Sequence, residues 1–203
     1  MNLYLVTPPQ TRSDETALAV AFLEQGLQRL HVRKPGYTLV DFRQYVDAIP
    51  HRFHDRLVLH GAAELLRSYP SVGLHLRGEE RQDNIFVQEV LALRPASLSG
   101  SLHAWEEMMV DTIPYDYVFI SPVFDSISKP GYKAAIDPTG LGTLRQWAAE
   151  RQKRLPRIVA LGGVDVSTLP LLRAYGFDGA ALLGAVWEAG DPMAAYDMLK
   201  RET

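Results

Sequence analysis

The stretch RIVALGGVDVSTLPLLRAYGFDGAALLG, residues 157–184, contains one complete repeat of the pattern that decides the fold. Two short apolar runs, 157–162 and 179–184, flank a segment, 166–175, whose apolar residues follow helical spacing. Gly176 follows that segment, at the position where glycine commonly ends a helix. Short, almost wholly apolar runs are typical of parallel strands that are buried on both faces. The stretch therefore predicts a strand, a helix and a second, parallel strand.

The same alternation recurs along the whole chain. Apolar runs predict eight strands at 3–7, 29–33, 57–60, 73–76, 97–101, 117–121, 157–162 and 179–184. Amphipathic segments predict helices at 16–25, 39–49, 85–93, 105–110, 141–150, 166–175 and 192–199. We therefore predict an α/β fold, a single-domain (β/α)8 TIM barrel spanning residues 1–203. A doubly wound sheet is the competing arrangement, but Thr7-Pro8-Pro9 after the first run is unlike a glycine-rich nucleotide loop.

Composition limits the classes of function. The chain has 203 residues, of which 47% are hydrophobic and 22% are charged, as in ordinary folded globular proteins. Its formal net charge of −3 offers no general attraction for nucleic acid or anionic lipid. There is no apolar run long enough to span a membrane and no basic lead-in of a signal peptide, so we expect a cytoplasmic protein. The absence of cysteine excludes disulfides, thiolate catalysis and cysteine-bound metals.

Glycines follow the last two predicted strands. Gly162 and Gly163 come after the seventh strand, and Gly184 ends the eighth. In a parallel barrel the chemistry lies at the carboxyl ends of the strands, so we interpret the residues there as one composite site. Backbone N–H groups at glycines can approach a phosphate closely, which predicts that these three residues bind one. The alternative is that Gly162 and Gly163 form only a tight turn.

Histidines end four consecutive predicted strands: His31, His60, His75 and His103. A single histidine at a strand end is most simply a hydrogen-bonded structural residue. Four together indicate that at least one titrates within the site. Imidazoles from neighbouring strands can also converge on Zn or Fe, so a histidine-based metal site stays open as an alternative.

Cationic side chains make the predicted site locally basic. Arg33, Arg77 and Lys129 follow strand ends, which favours an anionic small molecule as the ligand. Ser126 and Ser128 add two hydroxyl groups beside Lys129, a set that suits a second anionic group. The alternatives are that this loop is merely polar and that the arginines pair with nearby carboxylates, namely Glu79, Glu80 or Asp125.

Taken together, these residues resemble the thiamine-phosphate synthase superfamily, which contains the synthase and a thiazole tautomerase. The most specific motifs are Asp116-Tyr117-Val118-Phe119, Ser121-Pro122-Val123-Phe124, Ser126-x-Ser128-Lys129, Gly73-Leu74-His75-Leu76 and Ala160-Leu161-Gly162-Gly163-Val164. The resemblance covers nearly the whole chain. It implies a small (β/α)8 barrel, a phosphorylated thiazole as ligand, and a homodimer or larger assembly.

The synthase joins a pyrimidine diphosphate to a thiazole phosphate, with Mg²⁺ on the departing diphosphate. The resemblance implies that Gly162, Gly163 and Gly184 bind the thiazole phosphate, and that Arg33 corresponds to the family arginine on strand two. It also implies a set of diphosphate contacts, which are Ser101, Ser126, Ser128 and Lys129.

The half of the site that would serve Mg²⁺ departs from the synthase. Pro35 replaces the family lysine, and His60-Gly61 replaces an Asn-Asp pair whose aspartate serves the metal. Glu80 fills the place of the second metal-binding aspartate, so it is the one metal ligand that the resemblance predicts. Mg²⁺ prefers near-octahedral oxygen ligation, so the loss of one carboxylate should weaken the ion.

The tautomerase branch fits these departures better, because it tends to have His-x-Arg on strand two and glycine in place of the aspartate. Its reaction is a proton transfer on a thiazole carboxylate phosphate, and it needs no cofactor. We therefore expect His103 to be the acid/base and Arg33 or His31 to hold the substrate carboxylate. Further residues expected to line the site are His60, His75 and Arg77. The alternatives are a Mg²⁺-dependent thiamine-phosphate synthase, a phosphosugar-type isomerase and a non-catalytic binder.

Overall fold

The computed structural model of the protein describes residues 1–125 and 133–203. Its strands are β1 (Asn2–Val6), β2 (Arg29–Val32), β3 (Leu57–His60), β4 (Gly73–Leu76), β5 (Leu98–Leu102), β6 (Tyr117–Ile120), β7 (Arg157–Leu161) and β8 (Gly179–Leu182). Its helices are α1 (Glu15–Glu24), α2 (Leu39–Asp47), α3 (Gly78–Gln82), α4 (Asn84–Leu93), α5 (Trp105–Val110), α6 (Gly140–Glu150), α7 (Leu169–Tyr175), α8 (Gly184–Trp187) and α9 (Pro192–Arg201). Two 3₁₀ helices, His51–Arg56 and Ala63–Arg67, flank β3.

The strands follow one another in chain order around a closed barrel, β1 to β8. Parallel pairing is seen in the registers of β2 with β3, β3 with β4 and β7 with β8. Parallel neighbours require a crossover connection, and the segments between the strands supply it. The predicted (β/α)8 barrel is therefore confirmed. No helix in the described part of the chain is long and apolar enough to cross a membrane.

The chain divides into two compact units, Tyr4–Gly100 and Met1–Leu3 with Ser101–Thr203. In the first unit, Leu57, Val58 and Leu59 are successive strand residues and all are fully buried. In the second unit, every residue of β6 and β8 is buried. Burial on both faces explains why these strands appear in the sequence as continuous apolar runs rather than as alternating patterns.

Local signals place most helix ends where the sequence predicts them. Asp191 caps α9 by accepting hydrogen bonds from the N–H groups of Met193 and Ala194. Gly176 ends α7 with φ of +85°, a left-handed conformation that glycine adopts readily. Thr38 and Asp41 form a capping box at the start of α2.

One prediction about the helices is corrected. The helix predicted at 166–175 begins at Leu169, because the Asp165 carboxylate accepts the N–H groups of Ser167 and Thr168 and holds them in a turn. The connection from β3 to β4, for which no helix was predicted, contains the short 3₁₀ helix Ala63–Arg67. The short helices α3 and α8 were not predicted.

Candidate active site

The carboxyl end of β2 carries one buried and one exposed member of the predicted site. His31 is fully buried, whereas Arg33 is exposed. The Arg33 N–H donates to Thr7 Oγ1 at 2.9 Å, and this hydroxyl donates to the Arg33 carbonyl at 3.3 Å. Within residues 1–125 and 133–203, the Arg33 guanidinium forms no ion pair. A cation on a fixed backbone is suited to binding an anion.

Three of the four strand-end histidines come together in the unit Tyr4–Gly100. One ring nitrogen from each of His31, His60 and His75 lies within 4.8 Å of the others. His31 Nδ1 is 2.9 Å from His60 Nε2, and the rings of His60 and His75 stack with centroids 4.1 Å apart. His75 Nδ1 is 2.9 Å from the hydroxyl of the buried Ser99. We call His31, His60 and His75 the histidine cluster.

Strand register brings the histidine cluster together. His60 lies directly opposite His75 in the pairing of β3 with β4. His31 lies opposite Val58, two residues before His60 on the same strand. Because side chains two apart on a strand share a face, all three histidines lie on one face of the sheet.

The cluster is uncharged near neutral pH. Burial lowers the pKa of His31 and of His60 well below its usual value, and it lowers the pKa of His75 to about 3. The positive charges of Arg33 and Arg77 act in the same direction on the pKa of His60. Each ring therefore keeps one N–H and one lone pair at pH 7. Of the two residues predicted to hold a carboxylate, Arg33 is therefore the one that carries a positive charge.

Arg77 and Glu80 pair with each other. The Arg77 guanidinium donates to Glu80 Oε1 from Nε at 2.9 Å and from Nη2 at 2.6 Å. The Arg77 backbone N–H donates to Glu80 Oε2 at 2.8 Å, so both carboxylate oxygens are engaged. For Arg77, the alternative of pairing with a neighbouring carboxylate is the one that the structure shows.

The described residues do not fit the Mg²⁺ site that the resemblance implies for a synthase. Gly61 offers no carboxylate where the first metal ligand is expected. Glu80 would have to give up the Arg77 guanidinium before it could bind a metal. The group of possible metal ligands that the described residues bring together is the histidine cluster, which offers nitrogen, whereas Mg²⁺ prefers oxygen.

His103 belongs to the second unit, where it follows β5 and is exposed. Its Nδ1 lies 2.9 Å from the carbonyl oxygen of Ser121, which can only accept, so Nδ1 carries the proton. Its backbone N–H donates to Glu107 Oε1 at 2.8 Å. In the neutral form of the ring, Nε2 is therefore the nitrogen with the lone pair. A positioned imidazole with a defined tautomer is suited to acid/base chemistry.

The turn after β7 needs glycine for two reasons. Gly162 and Gly163 have φ of +95° and +64°, which is the left-handed region. A Cβ on Gly162 would lie 2.8 Å from Pro122 Cβ, and a Cβ on Gly163 would lie 2.7 Å from Phe124 Cβ. Packing against the segment after β6 therefore requires both glycines whether or not a phosphate binds, which supports the tight-turn alternative.

The same turn also leaves backbone donors available. The N–H groups of Gly163 and Val164 make no hydrogen bond to any other residue that the structure describes. Leu161 lies opposite Ala181 in the pairing of β7 with β8, so Gly184 follows the neighbouring strand. This geometry is compatible with the predicted phosphate contacts. The N–H groups of Ser167 and Thr168, which lie between this turn and α7, already donate to the Asp165 carboxylate.

The predicted diphosphate residues are only partly described. Ser101 lies in β5 and is half-buried. Ser126, Ser128 and Lys129 lie outside the described residues. Just before them, Asp125 accepts from Lys133 Nζ at 2.9 Å and from the Ala134 N–H at 2.8 Å. The hydrogen bond from Lys133 lowers the pKa of Asp125, so this carboxylate has its own cation and does not serve the arginines.

Sequence reasoning missed a buried ion pair beside Arg33. Lys34 Nζ lies 2.5 Å from Glu15 Oε2, and the two side chains are 1% and 2% exposed. Lys34 also donates to the carbonyls of Pro8 at 2.7 Å and Gln10 at 3.1 Å. Lys34 is therefore a structural residue. It does not take over from the family lysine, whose position is occupied by Pro35 in this chain. No local pattern indicates this pair, because its members belong to different elements.

Comparison with known proteins places the chain in a family. The family model described as "Thiamine monophosphate synthase" matches residues 3–186. The chain is similar to a thiamine-phosphate synthase of Streptococcus suis, with 30% identity over 88% of this chain and 73% of the relative. It is also similar to a thiamine-phosphate synthase of Vibrio campbellii, with 27% identity over 98% of this chain and 96% of the relative.

Solved structures agree with the sequence comparison. A thiamine phosphate pyrophosphorylase from Bacteroides thetaiotaomicron superposes with a TM-score of 0.72 and 26% identity, covering 100% of this chain and 95% of that one. A pyrophosphorylase from Pyrococcus furiosus has a TM-score of 0.76 at 17% identity, covering 99% of this chain and 94% of that one, which shows the shared fold alone. The curated relatives named here are synthases, so the preference for the tautomerase branch is not supported by the comparisons.

Proposed function

Because the chain belongs to the thiamine monophosphate synthase family, we propose that it joins a pyrimidine diphosphate to a thiazole phosphate to form thiamine phosphate. The observation that carries this proposal is the near end-to-end match to proteins named thiamine-phosphate synthase. The enzyme is accordingly a transferase of this family. The open N–H groups at Gly163 and Val164 support the proposal, because a phosphorylated substrate needs such donors.

Arg33 has the clearest part in this function. It is exposed, its backbone is fixed by Thr7, and its guanidinium forms no ion pair within the described residues. A charge-assisted hydrogen bond to a substrate anion contributes roughly 1.5–3 kcal/mol. We assign Arg33 to the binding of an anionic group on one of the two substrates.

The direct test is to incubate the purified protein with both substrates, with Mg²⁺ and with a chelator, and to follow thiamine phosphate. We expect the unmodified protein to form thiamine phosphate under at least one of the two conditions. We also expect roughly ten- to a hundredfold lower kcat/KM for Arg33→Gln, because the hydrogen bond to the anion is lost. Arg52→Gln is the matched control, since Arg52 is an exposed arginine paired with Glu24. A folded protein that forms no product under either condition contradicts the proposal.

A second candidate is tautomerase-type proton transfer on a thiazole carboxylate phosphate. Two observations favour it: the described residues do not fit the implied Mg²⁺ site, and His103 has its tautomer defined by the Ser121 carbonyl. This reaction requires an acid/base and no metal.

For this candidate we expect turnover of the carboxylate tautomer in the presence of a chelator. His103→Gln should lower kcat by about 10² to 10⁴, the usual contribution of a positioned acid/base. His51→Gln is the control, because His51 is an exposed histidine outside the strand ends. The candidate is rejected if His103→Gln retains wild-type turnover, or if the unmodified protein leaves the tautomer unchanged.

A further inference from the structure

The histidine cluster has the composition of a metal site of a different class from Mg²⁺. It offers three imidazole nitrogens, one from each of three neighbouring strands, all within 4.8 Å of one another. Three imidazoles with a fourth open position form a common donor set for Zn²⁺ and related divalent ions. We propose that His31, His60 and His75 bind one divalent transition-metal ion of the Zn²⁺ class.

The distances require only small side-chain adjustments. Around a tetrahedral ion with metal–nitrogen bonds of about 2.0–2.1 Å, two ligand nitrogens lie about 3.3 Å apart. His31 Nδ1 and His60 Nε2 are already 2.9 Å apart in a hydrogen bond, close to that separation. An ion bound there replaces the proton between them, and this proton moves to the other nitrogen of its own ring. The widest separation within the cluster is at most 4.8 Å, so the closing movement is about 1.5 Å or less. Rotation of the imidazoles about their side-chain bonds supplies this movement without moving the strands.

The scaffold holds the rings in register. The Cα positions of His60 and His75 face each other across β3 and β4, and their rings stack at an interplanar angle of 15°. The Ser99 hydroxyl lies 2.9 Å from His75 Nδ1. Such an outer hydrogen bond is the usual means by which a metal-binding histidine is oriented. Sites built on strands are positioned more firmly than sites on loops.

The charges around the histidine cluster have opposing effects on the binding of a divalent ion. Imidazole binds metals through the lone pair of its neutral ring. Arg33 and Arg77 lie close enough to lower the pKa of His60, so their charges oppose a dication. Glu80 offsets the charge of Arg77. The remaining charge of Arg33 favours an anionic oxygen, such as a carboxylate or phosphate, as the fourth ligand.

The test uses the full-length protein, stripped with a chelator and dialysed into metal-free buffer. Titration with Co²⁺ is followed by visible absorption, and titration with Zn²⁺ is followed by calorimetry. We expect one equivalent of each ion to bind with a Kd below about 1 μM and Co²⁺ to give a tetrahedral spectrum, as expected for three nitrogen ligands. Zn²⁺ should also raise the Tm by mass action.

Variants identify the ligands. His60→Gln and His75→Gln should each weaken Zn²⁺ binding by more than about a hundredfold, since loss of a ligand should exceed the 10–100-fold cost of an outer-shell change. His51→Gln should bind as the wild type does, because this exposed histidine lies outside the cluster. His60 is only half-buried, so its variant is the safer one if His75→Gln does not fold.

Absence of binding by the unmodified protein at millimolar metal overturns the proposal. So does equal weakening in His51→Gln, or retained affinity in a folded His60→Gln variant. All of these are measurements of metal binding, so their outcome is independent of whether thiamine phosphate is formed.

Discussion

Replacing Lys34 with methionine lowers the free energy of unfolding by about 3–5 kcal/mol, the typical cost of removing one partner from a buried ion pair. The substitution leaves the Glu15 carboxylate, which is 2% exposed, without its cation. It also removes the hydrogen bonds to the carbonyls of Pro8 and Gln10. Chemical denaturation at neutral pH, with the midpoint and slope fitted together, measures the loss.

Two further variants separate the buried charge from other effects. Arg52→Met removes the cation of an exposed pair whose side chains are 63% and 54% exposed, and it should change stability by at most about 1 kcal/mol. The double variant Glu15→Leu with Lys34→Met should recover much of the lost stability, because it leaves no unpaired buried charge. A Lys34→Met protein within about 1 kcal/mol of wild type would show that the pair is not buried in solution.

The ion pair between Lys34 and Glu15 also affects the position of Arg33. Lys34 follows Arg33 directly and connects the end of β2 to α1 and to the residues after β1. The backbone position of Arg33 therefore depends on a residue that itself contacts no solvent. Loss of activity in a Lys34 variant would accordingly be expected alongside loss of stability, whereas Arg33→Gln should lower activity alone.

The fold could be predicted because each strand is recognisable from its own short run of residues. Strands buried on both faces are mostly apolar, so the eight appear as short apolar runs with few polar interruptions, such as His31 in β2 and Ser99 in β5. The helix boundary at Leu169 was missed because it depends on which way the Asp165 side chain turns, and a helical spacing pattern does not show this. The short segment Ala63–Arg67 shows no clear helical period, since one turn is too short to display it.

For the candidate site residues, the position along the strands could be predicted from the sequence, whereas the charge and pairing of the side chains could not. The predicted strand ends agree with the structure, since His60 ends β3 and Gly162 directly follows β7. The sequence could not show that the histidine cluster is neutral, since that depends on burial. It also left open whether Arg77 or Arg33 is paired, and the distinction follows from the side-chain geometry of Glu80.

Replacing Gly163 with alanine lowers the free energy of unfolding by about 2–5 kcal/mol, from two separate causes. A left-handed φ of +64° costs a residue with a Cβ about 1–2 kcal/mol. The new Cβ also lies 2.7 Å from Phe124 Cβ and overlaps the Asp125 carbonyl oxygen, and such overpacking typically costs about 1–3 kcal/mol. Thermal and chemical denaturation measure the sum.

Two other glycines separate these causes. Gly176 has φ of +85° but nothing within 4 Å of its added Cβ, so Gly176→Ala should show the backbone cost alone, about 1–2 kcal/mol. Gly142 lies within α6 and has no unusual φ and no close neighbour, so Gly142→Ala should instead stabilise the protein by up to about 1 kcal/mol. If Gly163→Ala costs no more than Gly176→Ala, the turn does not pack against the segment after β6. The glycine pair would then be explained by backbone conformation and ligand binding, and the phosphate contact would become the stronger reason for Gly163.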